Sequence, residues 1–369
     1  MAVIAFTGGG TGGHIYPGLA VIEAIRKQSP ETRIFWIGSG KEQERRAVEQ
    51  AGIPYYAIAS GKLRRSFALK NFTDIFNIIK GIFQAKKLLT ELRADLLFSK
   101  GGYVSVPPCI AAKQLGIPVI THESDVSPGL ATKINLRFAD KLIASWDATL
   151  SFLKPQYKSK TIVLGNPVRE AIAHGNAERG RAFLGLDHRA PLLLVLGGSQ
   201  GAEQINKLIE AAAPVLIEKV CIAHQTGPGK STCIPQGKRY IQFPYLEKEL
   251  ADVLAAADII ICRAGAGTLW ECTLAGKPMI LIPLCGGGTR GDQVDNTRLL
   301  VKEHAALGLI GNEAQSQNVI EAVQTLLEHP ELRESLPERA RNILRTDAAK
   351  TIVTLCLDLV IKEADHECT

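Results

Sequence analysis

Short apolar runs alternate with amphipathic stretches along the whole chain. The runs 2–7, 33–37, 95–99, 119–121, 141–144 and 161–164 have the length and composition of buried parallel strands. A second set follows at 192–196, 221–225, 240–243, 259–262, 279–282 and 307–310. Helical periodicity fills the intervals, and the last stretch of about 40 residues reads as helix. This cadence predicts an α/β fold made of two doubly wound halves. The turn-rich segment Gly165-Asn166-Pro167-Val168-Arg169 separates them as a hinge candidate. A length of 369 residues suits two domains, each with its own core.

The first predicted strand runs into Gly8-Gly9-Gly10-Thr11-Gly12-Gly13-His14, five glycines in seven residues. A helical pattern opens at Pro17, with Leu19, Ala20, Ile22 and Ile25 on one stripe. Glycines between a strand end and a helix start let main-chain N–H groups converge on an anion. The spacing Gly8, Gly10, Gly13 also fits a dinucleotide fingerprint, but that site needs a carboxylate after the second strand to hold the ribose. Arg33-Ile34-Phe35-Trp36-Ile37-Gly38 ends without one, so a diphosphate cradle is expected rather than an NAD site. Gly197-Gly198-Ser199-Gln200-Gly201 repeats the arrangement in the second half.

Composition changes this picture little. Hydrophobic residues make up 46% and charged residues 22%, as in a soluble globular chain. A net charge of +6 suits a nucleic acid, an anionic membrane or a phosphorylated substrate alike. None of the eight cysteines forms a Cys-x-x-Cys pair, and Cys109, Cys221, Cys262 and Cys272 lie in apolar runs. They read as small buried hydrophobes of a reducing compartment, with neither disulfide nor zinc. No leader pattern precedes the first strand, and no apolar stretch reaches the ~18 residues of a membrane span. The expected location is the cytoplasm, or a membrane surface that the chain does not cross. Charge patterning adds one exception. From Lys62-Leu63-Arg64-Arg65-Ser66-Phe67 through Phe72, Ile75, Phe76, Ile79, Lys80, Phe83, Lys86 and Lys87, aromatic and aliphatic residues crowd among cations, with Asp74 alone acidic. This suits either an anionic membrane surface or a core-facing helix with a basic edge.

Chemistry-bearing residues gather where the predicted strands end. His14 is placed to act as a general base, to donate to a phosphate, or merely to cap its helix. Lys100-Gly101-Gly102-Tyr103 is a further glycine turn, a ligand loop or a plain connection. In Thr121-His122-Glu123-Ser124-Asp125, Glu123 or Asp125 could serve as base or hydroxyl acceptor, while Asp125 or Ser127 could cap a helix beginning near Pro128. Arg263-Ala264-Gly265-Ala266-Gly267-Thr268-Leu269-Trp270-Glu271 offers small residues for a flat ring and amides for phosphate. Its Glu271 could take ribose hydroxyls or form a capping box with Thr268. Asp292-Gln293-Val294-Asp295-Asn296 could bind sugar hydroxyls or favour a helix start. No Asp-x-Asp pair is present to hold a metal on a nucleotide diphosphate. Helix dipoles and Arg169 would neutralise that charge, which points to a metal-independent mechanism with no cofactor.

Taken in order, Gly9-Gly10-Thr11-Gly12-Gly13-His14, Gly101-Gly102-Tyr103, His122-Glu123, Gly165-Asn166-Pro167-Val168-Arg169, Gly197-Gly198-Ser199-Gln200-Gly201 and Cys262-Arg263-Ala264-Gly265 resemble the MurG family. These are N-acetylglucosamine transferases that convert lipid I to lipid II in peptidoglycan synthesis. The resemblance runs nearly end to end. It implies a GT-B fold of two Rossmann-like parallel-sheet domains facing a central cleft. The acceptor and membrane-associated domain would span 1–165 and the UDP-GlcNAc domain 166–345, with a helix at 346–369 returning to the first. It implies inverting transfer of GlcNAc from UDP-GlcNAc to the 4-hydroxyl of the lipid-linked muramyl sugar, at the cytoplasmic face of the membrane and without nucleic acid. Thr11, Gly12, Gly13, Arg169, Ser199, Ala266, Thr268, Glu271 and Gln293 would bind the donor, with Glu271 on the ribose and Gln293 on the GlcNAc hydroxyls. Tyr103 and Asp125 would face the acceptor, and His14, with Glu123 as the alternative, would be the catalytic base. Asp125 departs from an asparagine common in the family, and an ionised aspartate cannot donate. Asp292 replaces a second glutamine, and Trp270 fills a position that is often small, beside the expected uracil pocket. The competing readings are a UDP-GlcNAc 2-epimerase on the same plan and a non-catalytic nucleotide-sugar-binding scaffold at the membrane.

Overall fold

The computed structural model describes residues 1–9, 12–61, 70–186, 190–286 and 289–367. It comprises two compact units, Met1–Val168 with Asp347–Thr369, and Arg169–Thr346. The first holds a seven-stranded sheet: β1 (Val3–Thr7), β2 (Arg33–Gly38), β3 (Tyr55–Ala57), β4 (Leu96–Ser99), β5 (Val119–Glu123), β6 (Lys141–Ala144) and β7 (Thr161–Val163). The order is β3-β2-β1-β4-β5-β6-β7, and every neighbour is parallel. Winding reverses between β1 and β4, the point on the carboxyl edge where open α/β sheets hold ligands.

The alternation of side chains along β1 explains its burial on both faces. Ile4 and Phe6 point one way and join Trp36, Leu96 and Phe98. Helices Gly12–Gln28 and Ala348–Glu367 cover that face through Val21, Ile22, Ile25, Ile352 and Val353. Val3 and Ala5 point the other way with Ile37 and Leu97. There, helices Lys70–Glu91 and Val106–Gln114 supply Ala85, Leu89 and Cys109. Each fully buried large apolar side chain contributes about 1.5–3 kcal/mol, so a strand apolar on both faces is held only between two helical layers.

The second unit repeats the plan with β8 (Leu192–Leu196), β9 (Cys221–Gln225), β10 (Tyr240–Phe243), β11 (Ile259–Cys262), β12 (Met279–Leu281) and β13 (Leu307–Gly308). Their order is β10-β9-β8-β11-β12-β13, again parallel throughout. Leu193, Val195, Ile222, Ile259, Ile261 and Ile280 form one core with helices Glu203–Leu216 and Ser316–Glu328. The reversal falls between β8 and β11.

Three features depart from the hydrophobic pattern. The first helix starts at Gly12, five residues before Pro17, because its opening turn carries glycines and the apolar stripe begins only at Ile15. β5 continues through His122 and Glu123, whose polar side chains are buried because distant segments supply their hydrogen bonds. The next helix starts at Leu130 behind Gly129, and no side chain caps it, so neither Asp125 nor Ser127 has that role.

Candidate functional site

In the first unit the loops leaving β1 and β4 meet main chain to main chain. Gly102 has a φ of 78°, and a Cβ there would overlap the Gly9 carbonyl oxygen. Only glycine satisfies both demands. Gly12 and Gly13 open the helix and His14 is its third residue, so the helix start and the imidazole share the carboxyl edge of the sheet. His14 Nδ1 donates to the Lys100 carbonyl oxygen at 3.0 Å. A carbonyl only accepts, so the neutral ring carries its proton on Nδ1 and its lone pair on Nε2. That is the arrangement a general base requires. Tyr103 begins the turn Tyr103–Ser105, with the Lys41 ammonium 6.0 Å from its ring centre. Thr11 lies outside the described residues, as do Arg64 and Arg65.

Glu123 is differently engaged. Its Oε1 accepts from the Asp125 amide at 3.1 Å, and its Oε2 accepts from the Gly129 amide at 2.9 Å and Thr132 Oγ1 at 2.6 Å. Three donors tie this buried carboxylate to the loop and the start of helix Leu130–Asn135. Asp125 is half-buried, and its carbonyl accepts from Thr149 Oγ1 at 3.4 Å. Beside it, His122 Nε2 donates to the Gly165 carbonyl at 3.0 Å. Burial and the nearby Lys100 charge drive the His122 pKa well below its usual value, so this ring stays neutral.

The second unit gathers a helix start and an ion pair at the carboxyl edge of its own sheet. Helix Ala266–Leu274 starts behind Gly265, so the amides of Ala266, Gly267 and Thr268 form its positive first turn. Thr268 lies inside that turn, and no capping box with Glu271 forms. Instead Glu271 Oε1 accepts from Arg169 Nη2 at 2.7 Å and Nε at 3.1 Å. Arg169 and Glu271, 102 residues apart, are thus one half-buried ion pair. Gln293, in the first turn of helix Asp292–Lys302, accepts the Leu284 amide at 2.9 Å through its carbonyl oxygen, which aims its NH2 group elsewhere. Asp292 pairs with Arg290 at 3.1 Å. Trp270 is wholly buried and its indole donates to the Arg345 carbonyl at 2.9 Å, so it fills core against the end of helix Pro330–Ile343.

Several supports are not named by any motif. Lys230 donates to the carbonyls of Gln200 and Gly201 at 2.9 and 3.2 Å, and Gln225 donates to that of Gly198 at 3.1 Å. These bonds and the Gly201 amide donating to the Gly198 carbonyl at 3.0 Å fix the shape of the turn that carries Ser199. A Cβ on Gly201 would overlap the Thr226 carbonyl, so the turn also needs its glycine. Asn296 donates to the Ala264 carbonyl at 3.0 Å, and Arg263 to Gln204 and the Ile282 carbonyl, each at 2.9 Å. The turn Gly227-Pro228-Gly229-Lys230 after β9 is the sequence signal that could have found Lys230.

Helix Lys70–Glu91 presents a further surface. Gly81, Ala85 and Leu89 face inward, while Ile75, Phe76, Ile79 and Phe83 are between 45% and 71% exposed. Exposed Lys80, Lys86 and Lys87 flank them. The stripe is therefore not core-facing. No described helix is long and apolar enough to cross a membrane.

Residues 4–144 match the glycosyltransferase family 28 N-terminal domain, and residues 192–352 its C-terminal domain. A Treponema denticola protein is 42% identical over 95% of this chain and 94% of its own. Its name is UDP-N-acetylglucosamine--N-acetylmuramyl-(pentapeptide) pyrophosphoryl-undecaprenol N-acetylglucosamine transferase. A Bacillus cereus protein of that name, numbered 2, is 40% identical over 96% of this chain and 98% of its own. Among solved structures, Acinetobacter baumannii MurG matches with a TM-score of 0.73 at 24% identity, covering 97% of this chain and 100% of that one. Neisseria meningitidis UDP-GlcNAc 2-epimerase bound to UDP-GlcNAc reaches 0.67 at 15% identity over 98% and 100%, a likeness of fold alone. With both domain models matched and relatives of 40% identity or more along nearly its whole length, the chain belongs to glycosyltransferase family 28 and, within it, to the MurG family.

Proposed function

We propose that this chain is an inverting hexosyltransferase that moves GlcNAc from UDP-GlcNAc to the 4-hydroxyl of MurNAc in undecaprenyl-pyrophosphoryl-MurNAc-pentapeptide, giving lipid II. The observation that carries this reading is the near full-length likeness to transferases of that name. The second unit holds the donor. Amides of Ser199 and of Ala266 to Thr268 take the diphosphate, Arg169 adds positive charge, Glu271 takes the ribose and the Gln293 amide takes sugar hydroxyls. The first unit holds the acceptor at Gly101, Gly102 and Tyr103. His14 Nε2 removes the proton of the acceptor hydroxyl, whose oxygen bonds to the anomeric carbon as the bond to the β-phosphate oxygen breaks. The leaving UDP keeps that electron pair and is stabilised by the helix start and Arg169. Glu123, held by three donors, shapes the loop instead of acting as base. The absence of an Asp-x-Asp pair and the amide-rich helix start support a reaction without metal.

The exposed Ile75, Phe76, Ile79 and Phe83 stripe, flanked by lysines, docks the protein peripherally on the anionic inner face of the membrane, where the lipid acceptor resides. The test is transfer of labelled GlcNAc into extractable lipid. Label must enter the lipid phase only when a lipid I analogue is supplied. Formation of UDP-ManNAc without acceptor would establish the epimerase instead, and tight UDP-GlcNAc binding without turnover would establish the scaffold.

A further inference from the structure

Among the described residues Lys100 is the only buried lysine, at 1% exposure. Its stem lies so close to Gly8 that a Cβ there would come within 2.9 Å of the Lys100 Cβ. Its ammonium donates to His122 Nδ1 at 2.6 Å, Ser124 Oγ at 2.8 Å and Asn166 Oδ1 at 3.3 Å. His122 Nε2 carries the ring proton, because it donates to the Gly165 carbonyl, and Ser124 Oγ in turn donates to Asn166 Oδ1 at 3.1 Å. Three buried acceptors thus meet three N–H donors. A neutral amine keeps two N–H donors and one lone pair, so the third contact survives only if the Ser124 hydroxyl turns back to donate to Nζ and gives up its bond to Asn166.

The three acceptors lie on segments that matter for the reaction proposed above. Lys100 itself ends β4, and its carbonyl holds His14 Nδ1. Gly101 and Gly102 follow directly. His122 and Ser124 flank Glu123 at the end of β5, and Asn166 sits two residues before the first unit ends at Val168. We propose that Lys100 is a positioning residue for sugar transfer: its ammonium locks the end of β4 to the end of β5 and to Asn166, and so fixes the carbonyl that orients His14 and the glycine turn that receives the acceptor. This rests on the transferase reading.

The groups facing the ammonium are His122 and Glu123 of β5 and Asp125 beyond it; His14 approaches from helix Gly12–Gln28 through the main chain. Burial pulls the Lys100 pKa down to about 7, against the opposing charges of Glu123 and Asp125, while His122 stays neutral. Raising the pH therefore removes the third donor and loosens the lock while the rest of the unit stays folded.

The experiment is steady-state transfer to a lipid I analogue across the neutral and mildly alkaline range, with calorimetric UDP-GlcNAc binding alongside. Wild type should lose kcat on an alkaline limb near the Lys100 pKa. Lys100→Met should lower kcat about tenfold to a hundredfold, the scale of a slightly misplaced reacting group, and abolish the limb, with donor affinity within about twofold of wild type. Should Lys100→Met fail to fold, Ser124→Ala removes one acceptor and must shift the limb to lower pH. Wild-type kcat with an unchanged limb in Lys100→Met, or an unmoved limb in Ser124→Ala, overturns the proposal. A wild-type protein that transfers no sugar overturns the transferase reading on which it rests.

Discussion

His14 Nδ1 donates to the Lys100 main-chain carbonyl, so backbone geometry helps set the orientation of its ring. His14→Ala should reduce kcat by about 10²–10⁴, the usual weight of a general base, while UDP-GlcNAc affinity measured by calorimetry barely changes. Near-normal turnover would remove His14 from the role. In the second unit Glu271 is both a ligand candidate and the anchor of Arg169. Glu271→Ala should weaken UDP-GlcNAc binding about tenfold or more, since one charged hydrogen bond is worth about 1.5–3 kcal/mol. An unchanged dissociation constant would break the ribose assignment. Lys100 also links stability to pH. Its pKa is about 7 folded and near 10.4 unfolded, so between those values the unfolded chain binds a proton that the folded chain has lost. The resulting stabilisation is fully present above the unfolded value and is lost as pH falls to about 7. Denaturant unfolding of wild type against Lys100→Met should therefore show wild type gaining ground as pH rises, by at most about 1.4 kcal/mol per unit. A pH-independent difference would contradict the lowering of the Lys100 pKa by burial.

At the scale of elements, the strands were legible because burial on both faces demands apolar runs, and β8, β9, β10 and β11 fall where the pattern places them. β3 was not, since three half-exposed residues at a sheet edge carry little pattern. Nor was the end of β5, because His122 and Glu123 are polar residues made tolerable in a core only by Lys100, Gly165, Gly129 and Thr132, none of them next in sequence. Glycine motifs located the turns, but not the side chains that brace them, such as Lys230 and Gln225. Such partners meet only after the sheet has formed. Helix Lys70–Glu91 shows the same limit: its mixture of aromatics and lysines fits two readings until Phe76 and Phe83 are seen at 71% and 69% exposure. Phe76→Ser with Phe83→Ser should sharply reduce sedimentation with anionic vesicles and leave thermal stability nearly unchanged, because neither ring is in the core. Undiminished vesicle binding would remove this helix from the membrane contact.

For the whole molecule, two sheets with the same reversal of winding each put glycine-rich turns at their carboxyl edge, which the proposed reading gives to a lipid-linked diphosphate and to a sugar nucleotide. In the proposed reading both edges bind anions chiefly with main-chain amides, and side chains add a base, an arginine, a ribose-binding carboxylate and the Gln293 amide. Short glycine motifs in fixed order carry the family resemblance, while the three donors that hold Glu123 come together only on folding. The most direct measurement is transfer of labelled GlcNAc from UDP-GlcNAc to a lipid I analogue in excess EDTA. The expected result is an undiminished yield of lipid-linked disaccharide with the anomeric configuration inverted. Absence of that product, or activity that disappears with EDTA and returns with magnesium, would contradict it.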